Sequence, residues 1–342
     1  MLTFALKLHD ALAPDRTADV CWSPFSVASA LGTTAQAARG RTADELTALL
    51  GDTTPVRETR ISGDDVTFAV ANTLWAWDAL PVNESFLTDL SAWPGAAVRS
   101  APFAEDVEAA RKLINADVAD TTRGLIPELL DRGAVKSDTV AALVNALYLK
   151  TAWTEEFPEH DTEDRPFRDV GDVPTMRREA KSGYAHAAGW QAVTIPAHGG
   201  VEAVVLLPDD DLGGLSGVPT VLGALQRRNV ELFLPRLRAK SSALLSEPLR
   251  DLGVRTLFTK DADLTGLSPD PRLYVDEVVH EAVLRLDEQG LEGAAATAVM
   301  MRAVSLELPE EPVTVRVDRP YLLLVRHQHT GAVLFVAQVA HP

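Results

Sequence analysis

Helical spacing dominates the first third of the chain. Leu2, Ala5, Leu6 and Leu8, with Phe4 among them and Lys7 and Asp10 as charged breaks, predict an amphipathic helix over residues 1–12. Ser23-Pro24 sets a capping hydroxyl ahead of a proline suited to a first helical turn, and an apolar run over 25–38 follows. Thr42 and Glu45, three apart, read as a capping box for a short helix that stops before Gly51. Over 106–121, Val107, Ala110, Leu113, Ile114 and Val118 share one side of another helix. Strand signals take over later. Residues 201–207 and 230–237 are compact β-rich runs that each meet a proline. The runs 321–325 and 333–339 are apolar on both faces and flank His329-Thr330-Gly331, which predicts a hairpin deep in the core. Helices first and long-range strands later predict a single α+β domain over 1–342.

One segment fits neither pattern. After a strand-like run over 281–287, residues 288–305 are too small in side chain to build a core and too apolar for an ordinary solvated loop. Written as a strand, one face carries Leu291, Gly293, Ala295, Thr297, Val299 and Met301, and the other Glu292, Ala294, Ala296, Ala298, Met300 and Arg302. Every charge between 291 and 302 falls on the second face. Burying Leu291, Val299 and Met301 would contribute about 1.5–3 kcal/mol each, whereas one unpaired charge on that face would cost several. Such a pattern suits a loop able to enter a sheet. The pattern alone favours an Ala-rich helix end or a flexible loop over that strand.

Composition narrows the function classes. Of 342 residues, 46% are hydrophobic and 24% charged, enough apolar material for a sizeable core. The formal charge of −17 opposes nucleic-acid and anionic-membrane partners, which need clustered Lys and Arg. A single cysteine, Cys21, excludes an internal disulfide, and its apolar setting before a helix start reads as a buried, inert thiol. No Gly-x-Ser-x-Gly elbow, His-Glu-x-x-His or phosphate loop is present, so no catalytic residue is assigned. His327 and His329 share a strand face without a neighbouring Cys or carboxylate, and neither a metal nor a cofactor is expected. The first twelve residues lack the continuous apolar core of a signal peptide. The expected location is cytoplasmic, or exported with the signal removed.

Several ordered motifs resemble the serpin family of serine protease inhibitors over nearly the whole chain. The run Glu277 to Gly290 (EVVHEAVLRLDEQG) is similar to the strand and hinge that precede the serpin reactive loop. Cys21-Trp-Ser-Pro-Phe-Ser26 resembles the family's Ser-Pro-x-Ser helix start, and Asn145 to Trp153 its Asn-to-Trp strand, with Phe157 and Thr162 at the family's spacing. Asp263-Leu-Thr-Gly266, Arg319-Pro320-Tyr321 and Leu334-Phe335 match further signatures. The short chain and reduced region before Val66 resemble prokaryotic members.

The resemblance implies three β-sheets, eight or nine helices and an exposed reactive loop at about 288–312. It also implies a suicide mechanism: a protease cleaves the loop and becomes acylated, and the loop inserts into the main sheet and traps the enzyme. Residue by residue, it marks Glu288, Gly290, Leu291, Gly293, Ala295, Thr297 and Val299 as hinge and insertion face. Ser23, Ser26, Asn145 and His280 match a polar cluster where the sheet parts, and Trp153 and Thr162 the upper sheet. Counting from Gly290 puts the reactive bond at Val304-Ser305, which suits elastase-like pockets, with Met301 and Arg302 as alternates for chymotrypsin-like and trypsin-like ones. The implied partner is a serine protease of chymotrypsin, elastase or subtilisin type, held covalently by a monomer. A non-inhibitory carrier, storage protein or chaperone is the alternative, and Leu291 is larger than the family's usual residue there. Other departures are Asp19, Asp117 and Ala337 in place of an Asn, an aromatic and a Gly, and a longer stretch over 304–320. The Lys that pairs with the hinge Glu falls at Thr256, which leaves the partner of Glu288 open.

Overall fold

A computed structural model describes residues 1–136, 139, 141–270, 273–275, 277–292 and 311–342. Among them are eight α-helices: α1 (Leu2–Leu12), α2 (Pro24–Ala37), α3 (Gly40–Leu50), α4 (Thr54–Glu58), α5 (Glu84–Leu90), α6 (Val107–Thr121), α7 (Val218–Gly223) and α8 (Ser246–Asp251). Local chemistry sets the ends of two that matter below. The Ser23 hydroxyl accepts from the Ser26 N–H at the start of α2, with Pro24 in the first turn. The Asp106 carboxylate accepts from Glu108 and Ala109 N–H at the start of α6. The capping box at Thr42 and Glu45 does not form. The helix there opens earlier, at Gly40, and Glu45 instead accepts from the backbone N–H groups of Arg255 and Thr256.

The strands are β1 (Val20–Trp22), β2 (Thr67–Trp77), β3 (Ala96–Ala101), β4 (Ala141–Ala152), β5 (Glu163–Phe167), β6 (Gly171–Ala187), β7 (Trp190–Pro196) and β8 (Val201–Pro208). They continue with β9 (Gln226–Pro235), β10 (Leu237–Leu244), β11 (Val279–Leu286), β12 (Gly290–Leu291), β13 (Val313–Arg316), β14 (Tyr321–His327) and β15 (Val333–Val339). The apolar run 230–237 is two strands, not one, broken at Pro235 and Arg236. The C-terminal hairpin forms as β14 and β15, buried along nearly its whole length; β8 and β1 close its two edges in the same sheet, and α1 and α2 pack against β15.

Two sheets hold the molecule together. A nine-stranded sheet runs β1-β15-β14-β8-β7-β6-β9-β13, with β5 also on β6. Two of the three expected sheets are continuous here, because β6 is 17 residues long and pairs with β5 and β9 along one part and β7 along the other. The second sheet is six-stranded, in the order β10-β11-β12-β4-β2-β3. It is covered on both faces. Leu147 and Leu149 of β4 join the main core with Phe25 and Leu31 of α2, while Val144 and Ala146 pack under Ile114 and Val118 of α6. That double cover explains why the buried run Val144–Leu149 shows no alternation in the sequence.

Candidate functional site

The six-stranded sheet contains a gap. β10 pairs with β11 along eight residues and β2 pairs with β4 along ten. Between β11 and β4, however, the described residues show only the two-residue β12. Gly290 faces Ala152, while Leu291 faces Thr151 on one side and Leu286 on the other. Leu291 is fully buried in the main core. Position 290 must be glycine, because a Cβ there would lie 2.2 Å from the Thr151 carbonyl oxygen. One residue further on, Glu292 takes φ 66° and lies outside the strand. Its N–H donates to the Arg285 carbonyl, and its carboxylate lies 3.7 Å from the Arg285 guanidinium. Burial pushes that carboxyl above its ordinary range, with Arg285 and Lys150 opposing.

Above β12 the chain is pinned by a dense set of bonds. Trp153 N–H donates to the Gln289 carbonyl at 2.9 Å, and the Trp153 indole N–H to the Asp287 carbonyl at 2.8 Å. Phe157 N–H donates to the Glu288 carbonyl. The Asp287 carboxylate accepts from the N–H groups of Gln289 and Gly290, closing a tight turn. The Glu288 carboxylate accepts from Thr162 Oγ1 at 2.6 Å and from Arg236 Nε and Nη2 at 2.9 and 2.7 Å. Burial raises the Glu288 carboxyl, but the Arg236 and Thr162 hydrogen bonds outweigh it and hold the group below its ordinary value. Arg236, and not a residue at position 256, is therefore the partner of Glu288; Thr256 bonds Glu45. Arg178 adds a second, buried cation here. Its guanidinium lies 5.0 Å from the Phe157 ring centre and donates to the Glu155 carbonyl, and burial lowers it to about 10.

Lower down, the polar residues sort into two groups. Ser23 N–H donates to His280 Nε2 at 3.0 Å, Ser23 Oγ donates to the Leu334 carbonyl, and Ser26 N–H donates to Ser23 Oγ. Full burial lowers His280 to about 4, so the ring is neutral and its Nε2 is an acceptor. Asn145 belongs to the other group. Its amide donates to Asn72 Oδ1, and Asn72 Nδ2 donates to Ser29 Oγ and the Pro94 carbonyl. Ser23, Ser26 and His280 are thus joined, while Asn145 faces Asn72 across the β2–β4 pair. Among the described residues, buried Asn145 Oδ1 and Ser26 Oγ have no hydrogen-bond partner.

Gly293, Ala295, Thr297, Val299, Met301, Arg302, Val304 and Ser305 lie outside the described residues. Cys21 is buried, with its thiol pushed up to about 12 by burial alone, which suits the inert role. His327 bonds Thr330 through Nδ1, and its ring lies 5.9 Å from that of His329. Arg236, Arg178, Asn72 and Ser29 are the site residues that sequence reasoning missed. Arg236 carried one signal, its place directly after the proline that ends β9.

A family model described as Serpin (serine protease inhibitor) matches residues 1–342. The leukocyte elastase inhibitor of Sus scrofa is 34% identical over 372 residues, covering 99% of this chain and 97% of that protein. Iripin-2 of Ixodes ricinus is 32% identical, covering 98% and 91%. Among solved structures, uncleaved ovalbumin superposes with a TM-score of 0.83 at 24% identity, covering 99% of this chain and 98% of that one. Human thyroxine-binding globulin bound to its hormone superposes with a TM-score of 0.84 at 23% identity, covering 99% and 96%.

Proposed function

Because this chain belongs to the serpin family, we propose that it is a suicide-substrate inhibitor of serine proteases, cleaved in the 288–312 loop and completed by insertion of that loop between β4 and β11. Relatives named as elastase inhibitors support a protease of elastase or chymotrypsin type. The observation that carries the mechanism is β12, a two-residue strand already bonded to both walls of a gap otherwise without ladder pairs among the described residues.

Register extends the argument to particular residues. Continuing the pairing of Gly290 with Ala152 and Leu291 with Thr151 and Leu286 sets Gly293 beside Leu149 and Leu284, and Ala295 beside Leu147 and Ala282. Thr297, the one hydroxyl on that face, would arrive between Asn145 and His280. Val299 would face Leu143, and Met301 would face Ala141, the first residue of β4. In this register the described part of β4 is paired as far as Met301, and that of β11, which begins at Val279, as far as Ala298. A cut at Val304-Ser305 leaves Arg302 to Val304 beyond the sheet to hold an acylated enzyme, whereas a cut after Met301 would end inside it. The register therefore favours Val304 over Met301 as the acylated residue.

The reduced stretch between α3 and β2, which holds only the five-residue α4, carries the reading of a prokaryotic, thermopin-like member. The animal relatives above lend that origin no support.

The test is to mix the protein with elastase, chymotrypsin, subtilisin and trypsin, and to weigh the small C-terminal fragment released. A complex that survives denaturing gels, a fragment beginning at Ser305, and a sharply raised melting temperature after cleavage are expected. Clean turnover by every protease with no complex would replace this reading with the non-inhibitory one.

A further inference from the structure

The β4–β11 gap opens at its lower end into a cavity of about 120 Å³. Leu74, Phe86, Leu90, Leu130, Leu143 and Val279 are among its walls, so it lies between the sheet, α5 and the segment after α6. Its deeper polar side chains are already engaged. Asn72 is bonded to Ser29 and Pro94, Thr33 and Thr34 donate to the Ala30 carbonyl, and Glu277 accepts from Ser246 and Val278. Apart from the Glu277 carboxylate, both of whose oxygens are already hydrogen-bonded, such a cavity offers mainly dispersion contacts. Apolar cavities of comparable size, about 150 Å³, stay dry and take up benzene.

We propose that this cavity binds a small uncharged aromatic molecule, and that its occupancy and loop insertion exclude one another. The exclusion follows from register: Val299 would face Leu143 and Met301 would face Ala141, and both partners line the cavity. A bound ring occupies the volume that those two side chains would fill. The occupant's chemistry follows from the walls, and its effect rests on the inhibitor reading.

The probes are benzene and indole, added to the intact and the loop-cleaved protein. The intact protein is expected to gain about 2–4 °C in melting temperature at saturating probe, and the cleaved protein none. With probe present, at least twice as much protein should end as cleaved product instead of protease complex. Ala37→Leu, which fills the cavity from α2, should abolish the shift, and Ala97→Leu from β3 serves if the first variant does not fold. No shift of the intact protein with either probe overturns the site. An equal shift in intact and cleaved protein overturns the exclusion. The intact-protein shift reads the cavity alone, whereas failure of cleavage without probe to raise the melting temperature sinks the inhibitor reading and the exclusion together.

Discussion

Arg236→Ala isolates the hinge ion pair. The Glu288 side chain is 6% exposed and that of Arg236 is 49% exposed. Breaking a fully buried pair costs about 3–5 kcal/mol, because the remaining charge is left without a partner. Here half of the guanidinium already meets water, and Thr162 still donates to the carboxylate, so the expected cost is about 2 kcal/mol. An unfolding entropy of about 2 cal/mol/K per residue over 342 residues turns this into a fall of about 3 °C. Glu288→Gln should cost a similar amount, and the double variant little more than either single one, giving a coupling of about 1–2 kcal/mol. The sign with pH is fixed. The carboxyl is held below its ordinary 4.5 in the folded state, so the pair stabilises fully above about pH 4.5 and loses its effect as pH falls through the folded value. Scanning calorimetry of the four proteins at pH 7 and pH 4, with unfolding rates measured beside it, tests all of this. Additive single-variant losses at pH 7, or an Arg236→Ala penalty undiminished at low pH, would refute the pairing as the hinge's anchor.

Three other expectations follow from the same region. His280 and His9 are both buried, and burial holds each near 4; unfolded histidine takes up its proton near 6.5, so stability should fall as pH drops from 6.5 to 4, by up to about 3 kcal/mol per residue. Denaturant midpoints across that window should show a shallower slope in His280→Gln and in His9→Gln, and an unchanged slope in both would contradict the assignment. Gly290→Ala drives a methyl into the Thr151 carbonyl, so β12 should lose its pairing with β4 and amide exchange at Leu291 should accelerate at least tenfold; unchanged exchange would show that the strand yields. Ala295→Arg would place a charge between Leu147 and Ala282 on the inserting face, so a normally cleaved variant that forms no gel-stable complex is expected, and a variant trapping as well as the parent would break the register argument.

What the sequence disclosed depended on how local each cause was. The cap at Ser23 and the spacing of α1 involve neighbours within four residues and were legible, as was the spacing of α6 apart from Leu113, which is exposed; the Asp106 cap went unread. Glu45 was misread because two distant backbone donors, on Arg255 and Thr256, compete with the local cap and prevail. The break at Arg236 hid inside one apolar run, and its partner Glu288 lies 52 residues away. Ser29 sits in the apolar run 25–38, which reads as core, and only the pairing of β2 with β4 brings Asn72 to Asn145. Family motifs singled out Glu288 but not its counter-ion, since a counter-ion need only reach the carboxylate and several positions around a sheet edge satisfy that.

On the proposed mechanism, the point at which β12 stops among the described residues locates the resistance to further insertion. Burial of Leu291 contributes about 1.5–3 kcal/mol to seating the first two residues. Glu292 then pays about 1–2 kcal/mol for a left-handed backbone that no glycine relieves. Extending the strand by one residue would remove that cost and set Glu292 opposite Lys150 on β4 while Arg285 stays opposite it on β11, so a second cation is added to the one it already meets. The first step of insertion therefore meets little resistance. Deeper steps differ, because β4 and β11 must open around neutral, fully buried His280 and around Asn145, beneath a sheet face covered by α6. Arg111 and Asn115 of α6 bind the Leu130 carbonyl and so tie that helix to the segment crossing the lower gap. Resistance thus lies in the middle and lower sheet and not at the hinge, where the chain is already across the threshold.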